Sequence, residues 1–399
     1  MNAHSFIIYF SHMAGIYLHI PFCKQACHYC NFHFSTSLTL KNNFIASILK
    51  EIELVTNGPV EAKNNQERIS YLGEEIIETI YFGGGTPSLL SMDDLQQILD
   101  TLHSHFNIAE DAEITLEANP DDISIFKLKG WKKSGINRLS VGVQSFFEED
   151  LQWMNRAHNA SQALSSIQAA IQEGFNNMTI DLIYGTPALT DEKWEHNIKQ
   201  ALQLGIPHLS CYALTVEPST ALESRIKQKK SADVDPEKQA NQFLLLSGWL
   251  KDAGYEHYEI SNFAKPGMRS RHNSSYWQGK NYLGLGPSAH SFNGHSRQWN
   301  IANNALYIKA LQNNILPIEI EHLTLVQQFN EYVMTSLRTV EGLSLDYMRA
   351  KFGNKEAFQL ETLMKPFVEN GKVRLESNIF QLTREGMLHA DGIAASLFK

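Results

Sequence analysis

Tyr17-Leu-His-Ile-Pro-Phe-Cys23-Lys-Gln-Ala-Cys27-His-Tyr-Cys30-Asn-Phe32 places three cysteines within eight residues, directly after the apolar, β-branched run Ile16–Ile20. That run reads as a buried strand, so the thiols fall on the loop at its C-terminal end. The spacing is C-x3-C-x2-C. A tight loop with thiolates at these offsets can set three sulfurs around one face of a cubane cluster. Three sulfurs satisfy three irons and leave the fourth open, whereas electron-transfer clusters are held by four cysteines. Zinc is the competing reading; it needs a fourth ligand, which His19, His28 or His33 could supply. Three unrelated buried thiols are the bland alternative. The chain has four cysteines in 399 residues, too few and too clustered for a disulfide framework, which points to a metal site in a reducing compartment. An open iron can chelate the amino and carboxylate groups of S-adenosylmethionine (SAM). One electron from a [4Fe–4S] cluster then breaks a C–S bond, releasing methionine and a deoxyadenosyl radical. Phe22, Tyr29, Phe32 and Phe34 would exclude water around such a cluster, and Tyr29 could approach the adenine. Cys211, far away on a strand-like run, reads as a small core residue.

Outward from this loop, strand-like runs recur at Thr79–Phe82, Glu113–Glu117, Arg138–Val143, Thr179–Ile183 and His208–Leu214. Helical patterns separate them at Phe44–Val55, Asp94–His103, Ile123–Ser134, Ser161–Glu173 and Trp194–Leu204. Alternating strand and helix predicts an α/β fold with a parallel sheet. Six such units make a partial (β/α)6 barrel, whose chemistry belongs on the loops after the strands' C-terminal ends. A helix over Glu237–Ala253 leads to Tyr258–Phe263 and then into a less regular region rich in Gly, Asn, Ser and aromatic residues. After Pro317, helices over Leu325–Arg338, Ser344–Lys351 and Ala357–Glu369 precede two short strands, Lys372–Leu375 and Phe380–Leu382, and Thr383 caps a last helix. That order predicts a C-terminal α+β domain of winged-helix type. With nine Lys/Arg against ten Asp/Glu from Glu321 onward, it reads as structural rather than as a nucleic-acid binder. The expected divisions are residues 1–13 as an N-terminal extension, 14–220 as the barrel, 221–317 as a region extending it, and 318–399 as the C-terminal domain.

A net charge of −9 disfavours non-specific nucleic-acid or anionic-membrane binding. No stretch approaches the ~20 apolar residues of a membrane span. Phe6–Phe10 is shorter than a signal-peptide core of roughly 7–15 residues, and no Lys or Arg precedes it. Residues 1–12 therefore read as a dispensable extension ahead of Met13, and the expected compartment is the cytoplasm.

Gly83-Gly84-Gly85-Thr86-Pro87-Ser88 follows the second strand, where glycines let backbone groups approach a ligand closely. Glu117, Gln144 and Asp181 lie at or towards the ends of later strands, and Arg156 follows in Asn155-Arg156-Ala157-His158. Each of these alone equally fits a structural hydrogen bond. Together with the cysteine loop, they make the chain resemble the radical SAM superfamily from about Tyr17 to the C-terminus. Within it, the chain is similar to the branch around oxygen-independent coproporphyrinogen III dehydrogenase. The resemblance implies a [4Fe–4S] cluster on Cys23, Cys27 and Cys30. It also implies SAM contacts from Tyr17, Tyr29, Gly84, Gly85, Thr86, Glu117, Gln144, Arg156 and Asp181. Thr186-Pro-Ala-Leu-Thr190 departs from the family, which usually has Gly and Gln there.

Two departures separate the candidates within the branch. The dehydrogenase carries a fourth cysteine two residues beyond the third, where this chain has Phe32, and a longer N-terminal segment. Both favour the sister group, the radical SAM haem chaperones. His272-Asn273-Ser-Ser-Tyr276-Trp277 resembles that group's haem-binding signature, and the resemblance implies haem contact from His272, Tyr276 and Trp277. The residues themselves equally allow an ordinary loop with Trp277 in the core. His290, after a glycine-rich turn, is expected near the SAM end. The implied partners are haem, haem-accepting respiratory proteins and an electron donor for the cluster. Membrane contact would be transient at most, and an exposed open iron is compatible with a homodimer. Coproporphyrinogen III dehydrogenase and a radical SAM enzyme on another substrate are the alternative readings, with a gene-regulatory winged-helix protein more distant.

Overall fold

Along each of the first six strands, apolar and polar side chains alternate, and this alternation builds the molecule. The computed structural model describes residues 13–56, 72 and 75–399; of the expected extension only Met13 falls among them, at the start of the first strand. Strands β1 (Met13–Ile20), β2 (Ile76–Gly84), β3 (Ile108–Ala118), β4 (Arg138–Gln144), β5 (Met178–Tyr184) and β6 (His208–Ala213) lie side by side in chain order, all parallel. Ile16, Leu18 and Ile20 of β1, Ile114 and Leu116 of β3, Leu139 and Val141 of β4 and Ile180 and Leu182 of β5 belong to one continuous apolar core. Each fully buried residue of this kind contributes roughly 1.5–3 kcal/mol. That core includes Ile48 and Ile52 of the helix Lys41–Thr56 and Leu95 and Leu99 of the helix Met92–His105.

The alternate residues form the opposite set. They are Gly15, Tyr17 and His19; Thr79, Tyr81 and Gly83; Glu113, Thr115 and Glu117; Arg138, Ser140 and Gly142; Thr179 and Asp181; and His208 and Ser210. Because side chains alternate with period two, this set shares the face opposite the core. The inner face is therefore polar, and nearly all of it is buried. Cys211 falls on the outer, apolar side, where burial raises its thiol pKa.

The sheet continues beyond the six strands at both edges. At one edge, β6 is followed by a hairpin of β7 (Glu256–Glu259) and β8 (Asn262–Ala264). Within Tyr258–Phe263 the chain turns between these two strands, where Glu259 accepts the backbone N–H of Ser261 at 3.1 Å. At the other edge, β9 (Asn281–Leu285) pairs parallel with β1, and β10 (His290–Phe292), β11 (Ser296–Asn300) and β12 (Ile318–His322) follow antiparallel. The carboxylate of Glu51 fixes this edge. It accepts from the N–H of Gly286 at 2.8 Å, Asn300 Nδ2 at 2.6 Å and Tyr307 Oη at 2.5 Å.

The C-terminal domain consists of helices Leu325–Leu337, Leu345–Phe352 and Asn354–Glu369 around a small antiparallel sheet, ending in helices Arg384–Met387 and Ala390–Ser396. The sheet runs β13 (Leu343–Ser344), β15 (Ile379–Leu382), β14 (Val373–Glu376), a winged-helix-like order of helices and hairpin. It has its own core around Phe329, Val333, Leu360 and Phe380. The domain is stitched to the β7–β8 hairpin by backbone hydrogen bonds from Ile260 N–H to Arg338 at 3.2 Å and from Val340 N–H to Tyr258 at 3.0 Å. Among the described residues, no helix is long and apolar enough to cross a membrane.

Candidate cluster and SAM site

The cysteine loop is tied down from two sides. Lys24 pairs with Asp121 at 2.7 Å and also with Asp122, just beyond β3. Asn155 Nδ2 donates to the Ala26 carbonyl at 2.8 Å, and His28 N–H donates to Met154 at 3.0 Å. Asn155 adopts φ 57°, a left-handed conformation that Asn tolerates better than most residues and that aims its amide at the loop. The three thiols are partly buried. Burial pushes Cys23 up to about 11, opposed by a hydrogen bond from Thr86 and the charge of Arg156; Cys27 and Cys30 push it further up. A cationic iron cluster would favour the thiolates against that burial.

The zinc alternative fits less well. Among the described residues, no three His, Cys, Asp or Glu side chains converge as ligands for a single ion. Zinc thiolates share one metal at about 2.3 Å, whereas each cluster thiolate holds a separate iron and the sulfurs stand further apart. Of the three histidines considered as a fourth ligand, His19 has both ring nitrogens engaged, Nδ1 with Tyr17 Oη at 3.2 Å and Nε2 with the His33 carbonyl at 2.8 Å. His28 Nδ1 pairs with the Trp153 carbonyl at 2.8 Å and His33 Nε2 with Asn304 at 2.7 Å.

A relay of polar side chains rings the loop. Asn119 Nδ2 donates to Thr86 Oγ1 at 3.2 Å, while Asn119 Oδ1 accepts from Arg156 Nη2 at 2.7 Å. Arg156 also donates to the Gly142 carbonyl at 2.9 Å, Cys27 Sγ at 3.3 Å and Tyr29 Oη at 3.4 Å. Its Nε is buried with no partner among the described residues. A Cβ on Gly142 would lie 3.1 Å from the Gln144 amide and 3.2 Å from the Arg156 guanidinium, so Gly142 lets those two groups close over β4. Gln144 itself has φ 67°, at the irregularity that ends the β4–β5 ladder.

The glycine loop fits the backbone approach expected of it. Gly84 has φ +106°, and a Cβ there would stand 2.7 Å from the His19 ring; at Gly85 one would stand 2.7 Å from the Phe22 carbonyl. Glu117 Oε1 accepts from Tyr81 Oη at 2.8 Å. Burial pushes its carboxyl up to about 8, and Asp181 likewise up to about 6. Ribose hydroxyls donating to Glu117 would favour its ionised form. The donor set thus suits a sulfonium ligand bearing both hydroxyl groups and a carboxylate. When bound, a cluster with one open iron supplies one electron to SAM. The chain's own residues would orient the ligand against it.

Asn119 and Arg138 were not among the residues singled out from the sequence. Asn119 lies two residues beyond Glu117, in Leu116-Glu-Ala-Asn-Pro120. Arg138 is fully buried, with no hydrogen bond to its guanidinium among the described residues and Glu113 at 3.9 Å. Its charge holds the Asp181 pKa down against burial and also depresses that of His272. His290 is exposed and lies tilted beside Trp299, with ring centroids 6.0 Å apart.

The His272–Trp277 motif forms a short helix, Arg271–Trp277, that enters the polar face of the sheet. Glu113 accepts the N–H groups of both Arg271 and His272 at 3.1 Å. The His272 ring is buried, paired through Nδ1 with Thr79 at 2.7 Å and through Nε2 with Tyr276 Oη at 2.8 Å, and stacked 5.0 Å from the Tyr81 ring. Burial lowers its pKa to about 3. Trp277 is half-buried, with the Arg338 guanidinium 5.7 Å from its ring centroid.

Residues 17–201 match the Radical SAM superfamily and residues 323–389 the HemN C-terminal domain. The chain is 34% identical to the heme chaperone HemW of Bacillus subtilis over 94% of this chain and 97% of that protein. The chain belongs to the HemW family of radical SAM proteins. The HemW of Mycobacterium tuberculosis (strain CDC 1551 / Oshkosh) is 33% identical over 96% of this chain and 94% of its own. Coproporphyrinogen III oxidase (HemN) from Escherichia coli, a radical SAM enzyme, superposes with a TM-score of 0.81 at 23% identity. That likeness covers 98% of this chain and 91% of that chain, and it bears on the fold. Family membership implies a [4Fe–4S] cluster and SAM, in agreement with the donor set described above.

Proposed function

We propose that this protein is a haem chaperone of the cytoplasm, binding haem and delivering it to respiratory haem proteins, with a cluster on Cys23, Cys27 and Cys30 and SAM as resident groups. The observation that carries this reading is near full-length similarity to proteins named heme chaperones in two distant bacteria. Phe32 supports it. The position two residues beyond Cys30, where the resemblance places the dehydrogenase's fourth cysteine, holds an aromatic ring that is 68% exposed. Of the residues expected to touch haem, His272 is buried while Tyr276 and Trp277 are half-buried. Haem would meet the motif from their side, and His272 could ligate iron only by giving up Thr79 and Tyr276. An electron donor for the cluster and membrane-associated acceptors met transiently complete the proposed partners. A homodimer would appear in gel filtration as a change of peak between cluster-loaded and cluster-free protein.

The test is anaerobic reconstitution with iron and sulfide, then haem titration and a coproporphyrinogen turnover assay on one sample. Stoichiometric haem binding without turnover supports the chaperone. Turnover with methionine release would make the protein the biosynthetic enzyme, and the absence of both would favour a radical SAM enzyme on another substrate.

A further inference from the structure

The helix Ile125–Lys133 carries four lysines and no acidic residue, in a chain whose net charge is −9. Leu128 and Trp131 turn into the core. At 3.6 residues per turn, Ile125, Phe126, Lys129, Lys132 and Lys133 share one outer arc of about 120°, and all five are exposed. Ile125 is 54% exposed and Phe126 77%, so the first turn of this face is apolar and the rest of it cationic. Lys129 lies 3.9 Å from the Glu173 carboxylate and Lys132 donates to the Glu173 carbonyl at 2.9 Å. Lys133 has no hydrogen-bond or ion-pair partner among the described residues. The apolar turn sits at the cluster end of the barrel. Lys24, next to Cys23, pairs with Asp121 at 2.7 Å and with Asp122, just ahead of the helix, and Lys127 donates to the Ser88 carbonyl beyond the glycine loop at 2.8 Å.

We infer that this face docks the protein that reduces the cluster, a small acidic one-electron carrier. The inference rests on the proposed cluster and its electron donor, and adds where the donor lands. The chain as a whole repels an acidic partner, so the attraction has to be local, and Lys129, Lys132 and Lys133 supply it. Ile125 and Phe126, on the turn nearest the cysteine loop, give the contact an apolar centre with the lysines at its rim. Electron-transfer encounters bury little surface, under roughly 1,200 Å², an area that one helix face and the loops beside it can provide. Asp121 and Asp122 tie that turn to Lys24, so a carrier seated there stands beside the cysteine loop. One electron leaves the carrier and enters the cluster; no bond forms or breaks and no proton moves. A lipid surface fits less well, because an interfacial helix keeps its whole apolar face for the membrane, whereas this one commits Leu128 and Trp131 to the core.

The test mixes the full-length, cluster-loaded chain anaerobically with a photoreduced plant-type ferredoxin and follows the bleaching of the cluster by stopped flow. Dithionite, which needs no docking surface, is the parallel reductant. With ferredoxin, the wild-type rate is expected to fall as salt is added. The double variant Phe126→Ser, Lys133→Glu is expected to accept the electron about tenfold more slowly at low salt. Its reduction by dithionite should match wild type, since both side chains are exposed and neither touches the cysteine loop. An unchanged ferredoxin rate in the variant would overturn the surface and leave the cluster in place. Equal slowing with both reductants would overturn it too, by placing the effect at the cluster instead of at docking. Binding of phosphatidylserine vesicles by wild type but not by the variant, with ferredoxin rates alike, would assign the face to a membrane. Failure of dithionite to bleach the wild-type protein would overturn the underlying cluster reading, and the docking face with it.

Discussion

Arg156 donates from Nη1 to Cys27 Sγ across 3.3 Å, placing a fixed cation against the middle thiol of the cysteine loop. The same side chain reaches Asn119 at 2.7 Å, and through Asn119 it connects to Thr86, so the glycine loop and the cysteine loop share one anchor. Arg156→Met should leave the apolar core intact, since the guanidinium packs on the polar face. SAM affinity of the cluster-loaded variant is expected to fall about tenfold or more, through loss of a charge-assisted contact to the ligand carboxylate. Equilibrium SAM binding, with iron and sulfide content as the control, checks this. Unchanged affinity at full cluster loading would remove Arg156 from the SAM site.

Glu117 gives a pH signature. Burial raises its carboxyl from 4.5 to about 8, so between those values the folded SAM-free protein holds a proton that the unfolded chain releases. Stability then falls as pH rises through that window. Asp181, raised to about 6, adds to the lower part of it. Glu117→Gln removes the ionisation and keeps an acceptor for Tyr81. The SAM-free variant should therefore melt higher than wild type at pH 8, with the gap narrowing towards pH 5, while SAM binding weakens. Thermal unfolding at the two pH values decides it; a gap independent of pH would mean that Glu117 does not titrate in this range.

The barrel was legible because each strand announces two faces: Ile16, Leu18 and Ile20 alternate with Gly15, Tyr17 and His19, and the loops carry the glycines and cysteines. The strands β9 to β12 were not. Asn281–Leu285 is a short strand-like run that contains Gly284 and pairs with β1 from the far end of the chain, so nothing local shows its place in the sheet. Nor could a motif read in one dimension show depth. His272 is buried because Gly15 leaves room for it; a Cβ at Gly15 would come within 3.3 Å of the imidazole. Arg138 opens a strand whose neighbours are apolar, and only the pairing of β3 with β4 shows that it points to the polar face beside Glu113.

His272 should behave as a structural residue. His272→Ala removes the partners of Thr79 and Tyr276 and leaves a gap beneath Tyr81, at a cost of about 2–4 kcal/mol. Because the folded protein holds this ring neutral down to about pH 3, against an ordinary 6.5, wild type loses stability as pH falls through that range. The variant lacks that loss, so the difference between the two should shrink from pH 7 to pH 5 in urea unfolding. In the haem-bound variant the Soret band should keep its wild-type position. A displaced band would make His272 an iron ligand after all.

Glu51 is the residue on which the added edge of the sheet depends. It is buried on the helix Lys41–Thr56, and its carboxylate collects the Gly286 N–H, the Asn300 amide and the Tyr307 hydroxyl, from three separate segments of the region after β9. Burial alone raises its pKa, and these three donors pull it back down. Glu51→Ala leaves three buried donors without an acceptor, and about 3 kcal/mol or more of stability should be lost. The loss should be local first: amide hydrogen exchange is expected to speed up in Asn281–Asn300 before it does in β3 to β5, because those strands keep their own ladder. Uniform acceleration across the whole sheet would show instead that the added edge and the six parallel strands unfold as one unit.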